Sequence, residues 1–229
     1  MFLLWMCSLG YAQSPREYIP PKAHQHFPTI LEEKQTYAPT FPSAPYFGAL
    51  IEHESCISLK HSRCWETTSE LKSKRERGVG LGQITVAYRE DGSVRFDSLT
   101  DMKNRHSQAL KDLSWENVTR SPRLQIRTIV LMINDNYKAL SMVADENQRM
   151  KMADAAYNGG MGGLKKERLA CGLAKDCDPQ KWDDHVERYC LKSRAVLYGK
   201  RSACDINRDH VRDVFQVRLA KYEKAFSSN

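Results

Sequence analysis

Glu54 stands next to last in the stretch PYFGALIEHES, residues 45 to 55, in which Phe47, Leu50 and Ile51 stand seven, four and three positions before it. On a helix these residues share one face, so the carboxyl group is expected among apolar side chains. Such surroundings disfavour the charged form and leave a glutamic acid able to give up a proton near neutral pH. A glutamate at the end of an apolar helix can equally point back to water, so Glu54 alone decides nothing. Two further stretches combine backbone freedom with polar side chains: Gly78-Val79-Gly80-Leu81-Gly82-Gln83-Ile84-Thr85 and Ala155-Ala156-Tyr157-Asn158-Gly159-Gly160. Each has an ordinary structural explanation. The glycines suit any tight loop, Tyr157 any core, and Asn158 with the glycines any helix end.

The elements that must position these residues read as mostly helical. Ser43 is placed to cap a helix ending near Glu54. The polar segment 67–76 reads as an exposed helix, and 84–89 as another after the glycine interruption. Asp91-Gly92 then makes a turn that leaves room for a small hairpin with Val94 and Phe96. Ser121 followed by Pro122 is a strong helix start, and the run Ile129 to Ile133 is apolar all round, marking a central helix. A helix over Arg149 to Tyr157 is closed by Gly159-Gly160. Further helices fit Gly163 to Leu169, Pro179 to Tyr189 and Asp209 to Phe226. In the last of these Val211, Val214, Phe215, Arg218, Leu219 and Tyr222 form a stripe spaced by three and four.

Upstream, residues 13–42 hold six of the nine prolines (15, 20, 21, 28, 39 and 42) and read as an extended, partly polyproline tail. Residues 1–12, MFLLWMCSLGYA, read as a secretory signal, truncated at its basic start, with cleavage before Gln13; they are too short to span a bilayer. Once Cys7 is set aside, six cysteines remain, an even number suited to an oxidising compartment. Their spacing suggests the local pairs 56 with 64, 171 with 177 and 190 with 204, among fifteen arrangements that six cysteines allow. The absence of any C-x-x-C pair argues against zinc, and neither a metal nor a cofactor is expected.

The chain has 229 residues, 41% hydrophobic and 28% charged, the balance of a globular protein. Its net charge of +7 belongs to the part after residue 42, because residues 13–42 hold three bases (Arg16, Lys22, Lys34) and three acids (Glu17, Glu32, Glu33). A basic domain favours an anionic partner, nucleic acid or a negatively charged polymer. No helix-turn-helix, RNP motif or zinc finger is present to support nucleic acid.

Glu54-Ser55, the glycine-rich turn ending in Gln83, and Ala155 to Gly160, in this order, resemble the soluble-type lytic transglycosylases of the lysozyme-like superfamily, which includes goose-type lysozyme. The resemblance covers roughly residues 44 to 165. It implies a lysozyme-like, mostly α domain over 43–229, with a small hairpin and a disulfide-stapled helical extension from about residue 165. By the same resemblance Glu54 is the sole catalytic acid, and Ser55, Ser73, Gly80, Gln83, Tyr157 and Asn158 are substrate-binding. Glycines at 78, 80 and 82 would let backbone approach a polysaccharide. The Gln83 amide would donate to and accept from sugar groups, and the Tyr157 hydroxyl would orient the acid. This chain departs from the family in three places. Cys56 to Trp65 forms an insertion, Ser73 lies about one place away from the family's serine, and Gly82 replaces a methionine-like residue before the glutamine.

The implied activity is cleavage of the MurNAc-GlcNAc bond of peptidoglycan with formation of a 1,6-anhydro product, in the periplasm or outside the cell, with glycan strands as partner and envelope-spanning machinery as a candidate second one. No nucleic acid and no stable membrane span are expected. Two alternatives use the same bond, a muramidase with Asp91, Asp97 or Asp101 as second acid and a phage-type endolysin. A third, of another class, is a non-catalytic exported glycan-binding module.

Overall fold

The computed structural model describes residues 17–227. The expected signal segment and Cys7 lie outside the described residues. The architecture is mostly helical with a small antiparallel sheet and disulfides.

Of the segment expected to be an extended tail, residues 20–42 are instead folded against the core. Helices α1 (Pro21–His24) and α2 (Phe27–Tyr37) both carry proline in the first turn, where the missing N–H costs nothing. Ala23, Phe27, Ile30, Ala38 and Phe41 are buried. Phe27 and Ile30 have the three-residue spacing of a helix face; Pro28 between them marks a helix start rather than a break. Glu33 on α2 is buried too, held by Arg123 Nη1 at 2.8 Å and by Arg127 Nε at 2.8 Å.

Helix α3 (Pro45–Ser55) is entered through Ser43, whose Oγ accepts the Tyr46 N–H at 3.2 Å. It is followed by a sheet that the sequence reading takes for helices. Strands β1 (Glu70–Lys72), β2 (Glu76–Val79), β3 (Ile84–Tyr88) and β4 (Val94–Asp97) form an antiparallel meander in that order. The β-branched run Ile84-Thr85-Val86 favours a strand over a helix. In it Ile84 and Val86 are buried and Thr85 is half-buried, the alternation of a strand with one covered face. The Asp91-Gly92 turn falls between β3 and β4, with Gly92 at φ +81°, so the hairpin is present as expected.

The sheet continues into α4 (Ser98–Arg105), and α5 (Pro122–Ala139) is the central helix. Ile126, Ile129, Val130 and Ile133 face the main core, while Leu131 faces a smaller one with Val79, Ile84, Leu99 and Met102. Helix α5 also buries Gln125, Thr128 and Asn134, so it is not apolar on every side. Ser121 precedes α5 without a side-chain capping bond; its hydroxyl donates to the Asn117 carbonyl at 3.1 Å.

Helices α6 (Glu146–Gly159) and α7 (Met161–Gly172) pack together, with Gly160 between them at φ +80°. Segment 179–189, expected as a helix, is a series of turns with one 3₁₀ turn, Val186–Arg188. Gln148 Oε1 accepts the N–H groups of Trp182 and Asp183 at 2.6 and 3.0 Å, which draws the chain out of helical pairing. A short hairpin, β5 (Val196–Tyr198) with β6 (Arg201–Ser202), leads into α8 (Ala203–Arg212), a π-helical turn Asp213–Arg218 and α9 (Leu219–Ser227). The three expected disulfides, Cys56–Cys64, Cys171–Cys177 and Cys190–Cys204, are formed. Among the described residues no helix is long and apolar enough to cross a membrane.

The C-terminal helices are not an appendage. Val211, Val214, Leu219 and Tyr222 belong to the same core as Phe27, Phe47 and Leu50, and Gly48 of α3 lies so close to Tyr222 that an added Cβ would stand 2.5 Å from its ring. Phe27 stacks against Phe226 with ring centroids 4.4 Å apart, closing this core from the N-terminal side. Phe27→Ala is therefore expected to destabilise the protein by about 3–5 kcal/mol, the cost of a core aromatic truncation. Chemical denaturation checks this, and a loss below about 1 kcal/mol would return residues 13–42 to the status of a tail.

Candidate functional site

Three elements meet at Glu54. Helix α3 brings it at its last turn, α6 brings Asp154 and Tyr157, and α8 brings His210. His210 lies between two carboxylates: its Nε2 is 2.8 Å from Glu54 Oε1 and its Nδ1 2.8 Å from Asp154 Oδ2. Asp154 in turn accepts the Tyr46 hydroxyl on Oδ1 at 2.6 Å, forming a chain Tyr46–Asp154–His210–Glu54. Side-chain exposure falls from 14% at Glu54 to 1% at His210 and 0% at Asp154, so Glu54 is the end that meets solvent.

A neutral imidazole has one N–H, whereas His210 faces a carboxylate on each nitrogen. Burial alone would lower its pKa, but the Asp154 and Glu54 carboxylates outweigh burial and raise it to about 10. His210 is thus an imidazolium at neutral pH, donating on both sides. Burial, reinforced by the same two carboxylates, pushes the Tyr157 hydroxyl well above its usual value, and it does the same for Tyr46, where Asp154 leads. Both tyrosines therefore remain donors. Tyr157 donates to the Gly82 carbonyl at 2.6 Å, joining the glycine turn to the site.

The turn itself is fixed by α5. Gln125 is fully buried; its Oε1 accepts the Leu81 N–H at 2.8 Å, and its Nε2 donates to the carbonyls of Thr67 and Val118 at 3.0 and 2.6 Å. Gly80 lies at φ +80° directly against Gln125, and a Cβ on Gly82 would run into Ile129 and the Tyr157 hydroxyl. These glycines allow close approach of protein to protein.

The sequence-predicted residues divide accordingly. Glu54, Tyr157 and the Gly80–Gln83 turn come together. Gln83, at φ +45°, uses its Nε2 to donate to the Gly80 carbonyl at 3.0 Å, closing its own turn. Asn158 is exposed at the end of α6, its Oδ1 accepting from Asn207 Nδ2 at 3.0 Å. Ser55 points inward: its hydroxyl donates to the Ile51 carbonyl at 2.7 Å and accepts the Trp65 N–H at 3.2 Å, bracing the Cys56–Cys64 loop. Ser73 sits in the β1–β2 turn, its Oγ accepting the N–H groups of Arg75 and Glu76 at 3.2 Å each. The expected apolar pocket around Glu54 is not what the fold provides. Phe47, Leu50 and Ile51 turn fully into the core, and the group facing the Glu54 carboxylate is a charged histidine.

His210, Asp154 and Tyr46 escape the sequence reading. Asp154 carries a faint signal as one acid inside the small apolar run Met152 to Ala156. His210 precedes Val211 and lies four residues before Val214 on an otherwise buried helix face. Beside them His53 Nδ1 meets Asp213 Oδ2 at 2.5 Å, and the His53 ring stands 4.4 Å from that of His210. Deeper on α3, fully buried Glu52 pairs with Lys221 Nζ at 2.7 Å and accepts the Tyr222 hydroxyl at 2.7 Å. Among the described residues no group of three or more His, Cys, Asp or Glu side chains is arranged to hold a metal ion.

No known protein-family model matches the chain, and no match is found among the curated proteins.

The raised pKa of His210 predicts a pH-dependent stability. The folded state holds this proton more tightly than the unfolded chain, where histidine titrates near 6.5. The contribution is therefore complete below about pH 6.5 and is lost as pH rises toward about 10. Wild-type unfolding free energy should fall by a few kcal/mol between about pH 7 and 9.5, and His210→Gln should flatten that decline. Denaturant titrations across this range measure it; parallel declines in both proteins would contradict an imidazolium at this position.

Proposed function

We propose that the protein is a peptidoglycan lytic transglycosylase of the lysozyme-like kind, acting outside the cytoplasm, with Glu54 as acid and then base. The observation that carries the reading is the convergence of three segments far apart in sequence. Glu54 lies in the last turn of α3, Tyr157 on α6 is within electrostatic reach of it, and the Tyr157 hydroxyl holds the Gly82 carbonyl of the glycine turn at 2.6 Å. A part-exposed carboxyl group at the rim of a buried polar network is a suitable proton donor to a bound glycan.

In this mechanism a Glu54 carboxyl group protonates the oxygen linking MurNAc to GlcNAc, and the bond from that oxygen to the MurNAc anomeric carbon breaks. The carboxylate then takes the proton from the MurNAc C6 hydroxyl as its oxygen bonds to the anomeric carbon. The product is the 1,6-anhydro sugar, Glu54 regains its proton, and no water is consumed. The internal nucleophile replaces a second carboxylate by proximity.

The surroundings of the other acids favour this route over hydrolysis. Asp97 caps α4 through the Thr100 N–H and accepts Trp115 Nε1 at 2.9 Å, and Asp91 is held in its turn by Ser93. Asp101 is exposed in the first turn of α4. The carboxylate joined to Glu54, Asp154, is fully buried behind His210, where it cannot activate water in a groove. The disulfides suit an oxidising compartment, and the basic charge suits an anionic wall polymer.

Digestion of purified sacculi should yield anhydro-MurNAc ends, and Glu54→Gln should reduce the rate by about 10²–10⁴-fold, the usual worth of a general acid. Mass analysis of the products decides between the readings. A majority of reducing ends would establish hydrolysis, equal cleavage by wild type and Glu54→Gln would rule out Glu54 as the acid, and no cleavage by either would leave a glycan-binding module.

A further inference from the structure

We infer that His210 is a positioning residue for Glu54: it fixes one carboxyl oxygen and sets a positive charge against it, stabilising the carboxylate that forms when Glu54 gives up its proton. The inference rests on the transglycosylase reading and extends it to the segment beyond residue 165.

The geometry leaves His210 little other use. At 1% side-chain exposure it is out of reach of a polymer, so it neither touches substrate nor exchanges protons with it directly. Both ring nitrogens are engaged at 2.8 Å, which fixes the ring plane, and Glu54 Oε1 is thereby assigned to His210. Proton transfer to and from the sugar then falls to Oε2.

Charge balance explains why two acids are needed. Asp154 and His210 form a buried pair of zero net charge, with Tyr46 satisfying the second Asp154 oxygen. Glu54 is the second acid, and its Oε1 meets the other ring nitrogen at 2.8 Å. When the proton leaves, the His210 N–H is already aligned on the oxygen, and no solvent has to reorganise. A positive charge of this kind favours the acid step, so its loss should be visible in kcat.

The groups facing His210 from each packed element are few. Helix α3 contributes Glu54 and His53, with Tyr46 acting through Asp154; α6 contributes Asp154 and Tyr157; and the π-helical turn contributes Asp213, paired with His53 and with Arg218. The two carboxylates in direct contact outweigh the burial that opposes charge on the ring.

The test combines kinetics with a direct view of the ring. In His210→Gln an amide still donates to Glu54 but carries no charge. Its kcat on sacculi should fall at least tenfold while KM changes less than about twofold, because the lost charge acts on the carboxylate that forms in the reaction and not on glycan binding. A folded variant with kcat unchanged, or with kcat unchanged and only KM raised, would overturn the inference. Nitrogen-detected NMR of the wild-type protein needs no variant: both ring nitrogens of His210 should be protonated at pH 8, and Glu54→Gln should shift the loss of that proton to lower pH. A ring with one proton at pH 8, or no shift in Glu54→Gln, would overturn it independently of activity. Absence of any sacculus cleavage by wild type would sink the transglycosylase reading instead, and the NMR result would still decide whether His210 holds a charge against Glu54.

Discussion

Two carboxylates share one buried imidazolium, and the placement of α3, α6 and α8 follows from that requirement. A charge taken out of water is tolerated only beside partners that replace its hydration. His210 has no solvent to turn to, and Asp154 is fully buried, so α6 and α8 must hold their separation to keep both 2.8 Å contacts. Two residues earlier on α3, on its inward side, the same constraint is repeated by Glu52, Lys221 and Tyr222. Helix α3 is thus joined to the C-terminal helices at two depths, once where the network reaches solvent and once inside the core. Apolar packing gives cohesion here, and the ion pairs give register.

The turn at Gly80–Gln83 is held by the opposite means. Its backbone is not satisfied by a regular ladder; the Gln125 amide oxygen from the central helix accepts the Leu81 N–H, while the amide nitrogen is held by the carbonyls of Thr67 and Val118. The glycines serve this contact, because a side chain at Gly80 or Gly82 would displace Gln125 or Ile129. A feature read as giving backbone access to a ligand is therefore first a device for packing a loop on a helix. Its relation to the site comes through one bond, from Tyr157 to the Gly82 carbonyl.

How much of this was legible depends on sequence distance. Helix α5 and the Asp91-Gly92 turn follow from local rules, and the three disulfides close loops short enough to be read from spacing. Strands β1 to β4 are three to five residues long, too short for periodicity to separate them from helix, although the β-branched run at Ile84 tips the balance. Residues 20–42 mislead because prolines at helix starts resemble those of a polyproline stretch. For the site, Glu54, Tyr157 and the glycine turn are legible as types in order. The apolar face of α3 is legible as well, but it points Phe47, Leu50 and Ile51 into the core and leaves Glu54 to a partner that no local pattern reveals. Ser55 and Ser73 have the chemistry of ligand contacts, yet their hydroxyls are taken by neighbouring backbone.

Glu54 and His210 stand 156 positions apart, and the Tyr46 to Asp154 bond spans 108. A chain made from its N-terminus has α3 in hand long before α8 is synthesised, and until then Asp154 is a carboxylate with nothing to neutralise it. The loop that must close to bring His210 home is among the longest in the molecule, and long closures are slow. The network therefore closes only once α8 has been made, and Glu54 lacks its buried partner until the C-terminal helices dock.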